Sequence, residues 1–167
     1  MTTPLARPTD DEEHYGPAAR RVAFERGTDG PRTIMVGVDG SDTSLHAAAS
    51  AFGMARRQGC GLTVVFVAAP SALTGFGYGA VVAQEEAFAE IVASLRAQAK
   101  WAAQTYGVPV TLVIRRGDPF SELTATADEI KADFVFVGAS ARAGHRFVGS
   151  IATRLVKVGR WPVVVVP

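Results

Sequence analysis

This chain of 167 residues predicts an α/β fold, a doubly wound parallel sheet with helices on both faces. Three observations carry that expectation. Short unbroken apolar runs, such as Ile34–Val38 and Val163–Val166, lack the alternation of a half-solvated strand, as expected where both sheet faces are covered. Segments with helical periodicity separate those runs, and strand–helix alternation implies parallel strands joined by right-handed crossovers. Glycine-bearing loops follow the first and fourth runs, where such a sheet presents its ligand edge.

The elements follow in order. Residues 1 to about 32 hold Pro4, Pro8, Pro17 and Pro31, an acidic run from Asp10 to Glu13 and scattered arginines, without a periodic apolar face. They are expected to form a mobile tail, with residues 33–167 as the single folded domain. Thr33 to Asp39 is the first strand. Ser41 can cap a helix, along which Leu45, Ala48, Phe52 and Ala55 recur at helical spacing up to Gly59. Leu62 to Ala69 is the second strand. Pro70 to Val82, with Gly75, Gly77 and Gly79, is expected to be a loop. Ala83 to Tyr106 is a long helix with Phe88, Ile91, Leu95 and Ala102 on one face, stopped by Gly107 and Pro109. Val110 to Arg115 is the third strand. Asp118 as N-cap with Pro119 at the first helical position starts the next helix, whose face is Phe120, Leu123, Ala127 and Ile130. Asp133 to Val137, a helix from Ser150 to Gly159, and a last strand from Pro162 to Val166 complete the pattern.

Composition narrows the function classes. An apolar fraction of 48% supplies a substantial core. The formal net charge of +1 gives no global basic field that would call for nucleic acid. From Lys131 onward, six lysines and arginines face one acid, Asp133, a local excess of +5 around the last glycine loop. That excess suits a small phosphorylated ligand, and a solvated basic helix face would show the same charge. No apolar run approaches the ~20 residues that span a membrane. The lone Cys60 cannot form an internal disulfide, which fits a reducing cytoplasm; it reads as a small buried hydrophobe.

Two loops carry the candidate chemistry. Asp39-Gly40-Ser41 follows the first strand. Gly138 to Gly149 follows the fourth, and Gly149-Ser150 opens a helix. The free N–H groups at a helix start and the helix dipole favour an anion, and glycine allows close backbone approach. Asp39 is a ligand contact or simply part of the cap. His145 in the basic loop is a phosphate contact or an exposed loop histidine, and His46 has no acid–base partner nearby in sequence. Trp161 is a candidate aromatic anchor against a partner chain. The sequence has no Ser-His-Asp arrangement, no metal-ligand cluster and no P-loop pattern, so no catalytic residue and no metal ligand is assigned.

The chain resembles the universal stress protein family. The likeness rests on Ile34-Met-Val-Gly-Val-Asp39-Gly-Ser41, Val64-Val-Phe-Val67, Gly117-Asp118-Pro119, Ala132-Asp-Phe-Val-Phe-Val-Gly138, Gly149-Ser150 and Trp161-Pro-Val-Val-Val-Val-Pro167, and on their order across about 33–167. It implies a five-stranded sheet in order 3-2-1-4-5, a homodimer and, in one branch, bound ATP. That branch has a glycine, two residues, a second glycine, nine residues, then Gly-Ser or Gly-Thr. Here Gly138 takes the first position and Ala141 the second, and seven residues, Arg142 to Val148, precede Gly149-Ser150. By position, Asp39 resembles the acid at the adenosine end, Val67 lies near the base, and Gly138, Gly149 and Ser150 resemble phosphate-binding positions. Alanine at 141 costs on the order of 1 kcal/mol if that residue needs positive φ. Two missing residues shorten the loop's reach by up to ~7 Å. Gly144 is placed to supply the flexibility that Ala141 lacks.

Two readings follow: a dimeric stress-response regulator that binds ATP or a related adenine nucleotide, hydrolysing it very slowly at most, or a nucleotide-independent dimeric interaction module of the same fold. An enzyme of the wider nucleotide-binding α/β group is a weaker third, for want of catalytic groups. The dimer is expected to form through Val163–Val166 at the sheet edge, where an exposed apolar strand invites pairing.

Overall fold

The computed structural model describes residues 30–69, 77–140 and 149–167. The expected 1–32 tail therefore lies outside the described residues except for its last three, as do Gly75 of the second loop and Ala141, Gly144 and His145 of the glycine loop.

Five strands form one parallel sheet: β1 (Thr33–Val38), β2 (Gly61–Ala68), β3 (Val110–Arg116), β4 (Phe134–Gly138) and β5 (Val163–Val166). Their order is β3-β2-β1-β4-β5, as the resemblance implies. Four helices cover it: α1 (Asp42–Gln58), α2 (Gly77–Tyr106), α3 (Pro119–Glu129) and α4 (Ser150–Val158). Alternate residues of each strand feed two cores. Ile34, Val36, Val38, Leu62 and Phe66 pack with Ala47, Ala51 and Ala55 of α1 and with Val92 and Leu95 of α2. Met35, Val65, Val67, Val135 and Val137 pack with Leu123 and Ala127 of α3 and with Ala152 and Leu155 of α4. This two-sided burial is why the strands read as unbroken apolar runs.

Local signals set the helix ends. Ser41 caps α1, its Oγ accepting from the Ser44 N–H at 3.3 Å, and Gly59 closes it in the left-handed conformation at φ +67°. Asp118 caps α3 by accepting from the Ser121 N–H at 2.9 Å, with Pro119 in the first turn. Among the described residues, no helix is long and apolar enough to cross a membrane.

The structure departs from the sequence reading in two helices. The buried face of α1 is Ser44, Ala47, Ala51 and Ala55 rather than the Leu45–Ala48–Phe52 stripe: Leu45 is 40% exposed, and Ala48 and Phe52 are half-buried flanks. Small side chains win the central stripe because they let the helix lie close on the sheet. Helix α2 starts at Gly77, six residues before the expected Ala83. Glycine costs about 1 kcal/mol per helical residue, but extending an existing helix avoids the cost of a nucleus, and the Gln84–Ala87 run supplies one. On α2 the buried pair is Val92 and Leu95, while Ile91 is 37% exposed. Trp161 is half-buried against the α3–α4 core, with the Arg160 guanidinium 5.8 Å from its ring centroid.

Candidate functional site

The carboxyl ends of β1 and β4, the two central strands at which the chain order reverses, converge with the starts of α1, α3 and α4. A cleft of about 220 Å³ opens there. Asp39, Val67, Gly138, Gly149 and Ser150, five of the sequence-predicted positions, all line it. The other two, Ala141 and Gly144, lie outside the described residues.

On one wall the chain leaves β1 through Gly40 at φ +85°, a left-handed turn into α1. Asp39 Oδ1 accepts from the Ser41 N–H at 3.0 Å and from the Ser41 hydroxyl at 2.6 Å. Ser44 Oγ donates to the Ser41 carbonyl at 2.8 Å and accepts from the Asp39 N–H at 3.3 Å. Burial opposes the Asp39 charge, but the hydrogen bonds from Ser41 and Ser44 outweigh it and hold the carboxyl below its ordinary value. Asp39 is therefore an anion at neutral pH.

The opposite wall is the end of β4 and the start of α4. Gly138 has a packing reason that the motif alone did not reveal. A Cβ there would lie 2.6 Å from the Thr43 carbonyl carbon and 2.7 Å from Ser44 N, so the end of β4 rests directly on the first turn of α1. The Thr43 hydroxyl, donating to the Ala139 carbonyl at 2.7 Å, ties the same two segments. At Gly149 a Cβ would meet Ser140 Cβ at 3.0 Å and Ser140 N at 3.2 Å, where β4 leaves the sheet.

The three helices whose starts line this cleft differ in one respect. Helices α1 and α3 satisfy their first turns with the side chains of Ser41 and Asp118, whereas the N-cap of α4 is Gly149, with no side-chain cap bond. Gly149, Ser150, Ile151 and Ala152 line the cleft, and no described side chain caps this first turn, a geometry that favours an anion.

Sequence reasoning missed several lining residues: Thr43 and Ser44 of α1, Val65 of β2, Pro119 and Leu123 of α3, and Ile151 and Ala152 of α4. The apolar members give the cleft its floor. The available signal was topological, since Gly117-Asp118-Pro119 follows β3 at the same carboxyl edge as the two glycine loops. His46 lies away from the cleft, exposed, with Nδ1 3.3 Å from the Pro167 carbonyl oxygen. Cys60 is free and buried, and burial pushes its thiol up, with the Asp133 charge adding to the shift. Among the described residues no group of three or more His, Cys, Asp or Glu is placed to hold a metal ion.

The sequence pattern of the Universal stress protein family matches residues 30–167. The chain belongs to the universal stress protein family. It is 28% identical over 138 residues to a universal stress protein of Methanocaldococcus jannaschii, covering 81% of each chain. The solved structure of the universal stress protein UspA from Lactobacillus plantarum superposes with a TM-score of 0.70 at 25% identity, over 81% of this chain and 97% of that one. A universal stress protein solved in complex with cAMP superposes with a TM-score of 0.62 at 27% identity, over 83% of this chain and 98% of the other.

Proposed function

We propose that this universal stress protein is a dimeric regulator that binds ATP or a related adenine nucleotide in the cleft between Asp39 and Ser150. The observation that carries the proposal is the start of α4. Among the described residues its first turn has no side-chain cap, it borders a cleft at the carboxyl edge of the sheet, and it opens on a glycine. A phosphate is the group that such a helix start receives best. Val65, Val67 and Leu123 offer an apolar floor for a base, and the ionised Asp39 offers an acceptor for ribose hydroxyls. The relative solved with cAMP, an adenine nucleotide, adds support. The cleft's volume of about 220 Å³ lies below the range of roughly 300–1,000 Å³ usual for small-molecule sites. It suits a nucleoside end held inside with its phosphate leaving toward α4. The proposal includes turnover no faster than very slow hydrolysis. A free, buried Cys60 agrees with a cytoplasmic home.

The second reading, an interaction module without nucleotide, is favoured by Ala141 and by the seven-residue spacing to Gly149. Native mass spectrometry of the purified protein separates the two: a retained nucleotide-sized mass supports the first, and a bare chain that also fails to take up added ATP, AMP or cAMP supports the second. Gly149→Trp places a large side chain against Ser140 at the mouth and is expected to abolish binding. Undiminished affinity in that variant would put the ligand elsewhere.

The dimer is proposed to form through β5. That strand is the sheet edge, paired only with β4 among the described residues. The carbonyls of Pro162 and Val166 accept from the β4 side, so by strand alternation the backbone groups of Val163 and Val165 point outward, available to a two-fold-related β5.

A further inference from the structure

A second feature lies at the opposite, amino end of the sheet. Trp101 and Tyr106 near the end of α2 are 59% and 41% exposed. Their rings meet edge-on at a centroid distance of 5.5 Å, and Tyr106 meets Phe52 of α1 in the same way at 5.5 Å. The three rings form a ladder across the α1–α2 seam, which the nucleotide cleft does not use. Basic residues lie on the same two helices. The Arg56 guanidinium sits 4.9 Å from the Tyr106 centroid, the Arg57 guanidinium folds back toward Gly53, and Lys100 precedes Trp101 in the chain. No acid occurs between Thr43 and Gln84 or between Ile91 and Gly117, so Arg56, Arg57, Arg96 and Lys100 have no acid from either stretch to offset them.

We propose that this ladder is the docking site of the chain's own residues 10–26, with Phe24 on the Trp101–Tyr106 rings and the Asp10–Glu13 run against Arg56, Arg57 and Lys100. Three arguments select this occupant. The first is chemistry. Before Gly30 the chain carries six acids against four arginines, four of those acids consecutive, and Val22-Ala23-Phe24 is its apolar stretch closest to β1. Acid run and apolar stretch complement basic rim and aromatic centre.

The second is reach. The chain enters β1 at the same end as the ladder. Asp133 Oδ2 pins the N–H groups of Arg32 and Thr33 at 2.7 and 2.9 Å. The Arg32 carbonyl accepts from Gly61 N, and the Pro109 carbonyl accepts from the next residue, Leu62, on the other side of β2. Arg32 and Pro109 therefore stand about two strand spacings, ~10 Å, apart. Tyr106 is three residues before Pro109, and Trp101 lies ~7.5 Å further along the helix. The six residues from Phe24 to Gly30 span up to ~20 Å when extended, which matches the distance to be covered.

The third is electrostatic exclusion of the obvious rival. A second copy meeting this surface about a two-fold axis would set the same cationic patch against itself, a like-charge contact that opposes association. A tethered acidic segment avoids that repulsion and acts at high effective concentration.

The test uses the intact protein at low micromolar concentration. Water-soluble carbodiimide joins carboxylates to amines in direct contact, and the lysines available are Lys100, Lys131 and Lys157. Peptide mapping of the monomer is expected to find an intramolecular link between Lys100 and the Asp10–Glu13 run, weakened at high salt. Emission of Trp101, taken as the difference between the intact chain and Trp101→Phe, is expected to shift red and to become more accessible to acrylamide in Phe24→Ser. Absence of the Lys100 link, a link confined to Lys131 or Lys157, a link found only between chains, or Trp101 emission that is unchanged in Phe24→Ser would each overturn the proposal.

Discussion

Replacing Gly138 with alanine would place a Cβ 2.6 Å from the Thr43 carbonyl carbon, 2.7 Å from Ser44 N and 2.8 Å from Thr43 O. These are backbone atoms in the first turn of a helix and cannot step aside as a side-chain tip can. Restoring an ordinary contact of 3.4 Å from 2.6 Å requires 0.8 Å of separation between the end of β4 and the start of α1. Helix α1 is held on the sheet by Ala47, Ala51 and Ala55, all 0% exposed, so the displacement is resisted along the whole seam. Overpacking of this kind costs about 1–3 kcal/mol, and the backbone nature of the clash places Gly138→Ala in the upper part of that range. For a chain of this size about 2–4 °C of Tm accompanies each kcal/mol, so thermal unfolding followed by circular dichroism is expected to fall by roughly 4–12 °C. Nucleotide affinity should fall with it, because Thr43 and Ser44 also line the cleft. Gly149→Ala provides the comparison. Its φ of −58° suits alanine, and its closest contact is the Ser140 side chain at 3.0 Å, which needs to give only slightly. A Gly138→Ala protein with unchanged Tm would refute the claim that this glycine exists for the close approach of β4 to α1.

Three further outcomes are expected. Val165→Pro removes an outward N–H from β5 while sparing the β4 ladder, so sedimentation should show a shift from dimer to monomer with the fold retained; an unaltered dimer would place the interface elsewhere. The Thr126 hydroxyl is fully buried on α3 without a hydrogen-bond partner among the described residues, so Thr126→Val should leave stability unchanged or raise it by about 1 kcal/mol in a chemical denaturation curve, and a clear loss would reveal a missing partner. Asp118 is held below its ordinary value by the Ser121 N–H, the Ser121 hydroxyl and the Arg154 charge, and Asp39 is also lowered, so both stabilise the fold while ionised. That contribution is complete above the unfolded carboxylate value of about 3.9 and is lost as pH falls through the lower folded values. Asp118→Asn keeps a capping side chain but not the charge, so its Tm should decline less between neutral and acid pH than that of the parent chain; equal declines would remove Asp118 as a source.

Much of this protein was legible in its sequence because its strands are buried on both faces and its helix ends are marked locally. Ile34–Val38, Val163–Val166, Ser41, Asp118 with Pro119, and Gly59 each state their structure within a few residues, and the two glycine loops lie at the carboxyl edge where the cleft opens. Properties that depend on what lies across a contact were not legible. Leu45 and Ala47 are both apolar, and only the shape of the sheet beneath α1 decides that the alanine goes inward. Gly138 resembled a phosphate glycine, yet its nearest neighbours are Thr43 and Ser44, about 95 residues earlier in the chain, brought there by the pairing of β1 with β4. Pro119 and Leu123 entered the cleft for the same reason, since α3 follows β3 and folds back over the central strands. Periodicity and capping act within one or two turns of chain, so the sequence by itself determined the elements and their ends. Close approach, side-chain exposure and the joining of separate loops into one cleft act across the sheet, and those the tertiary structure alone decided.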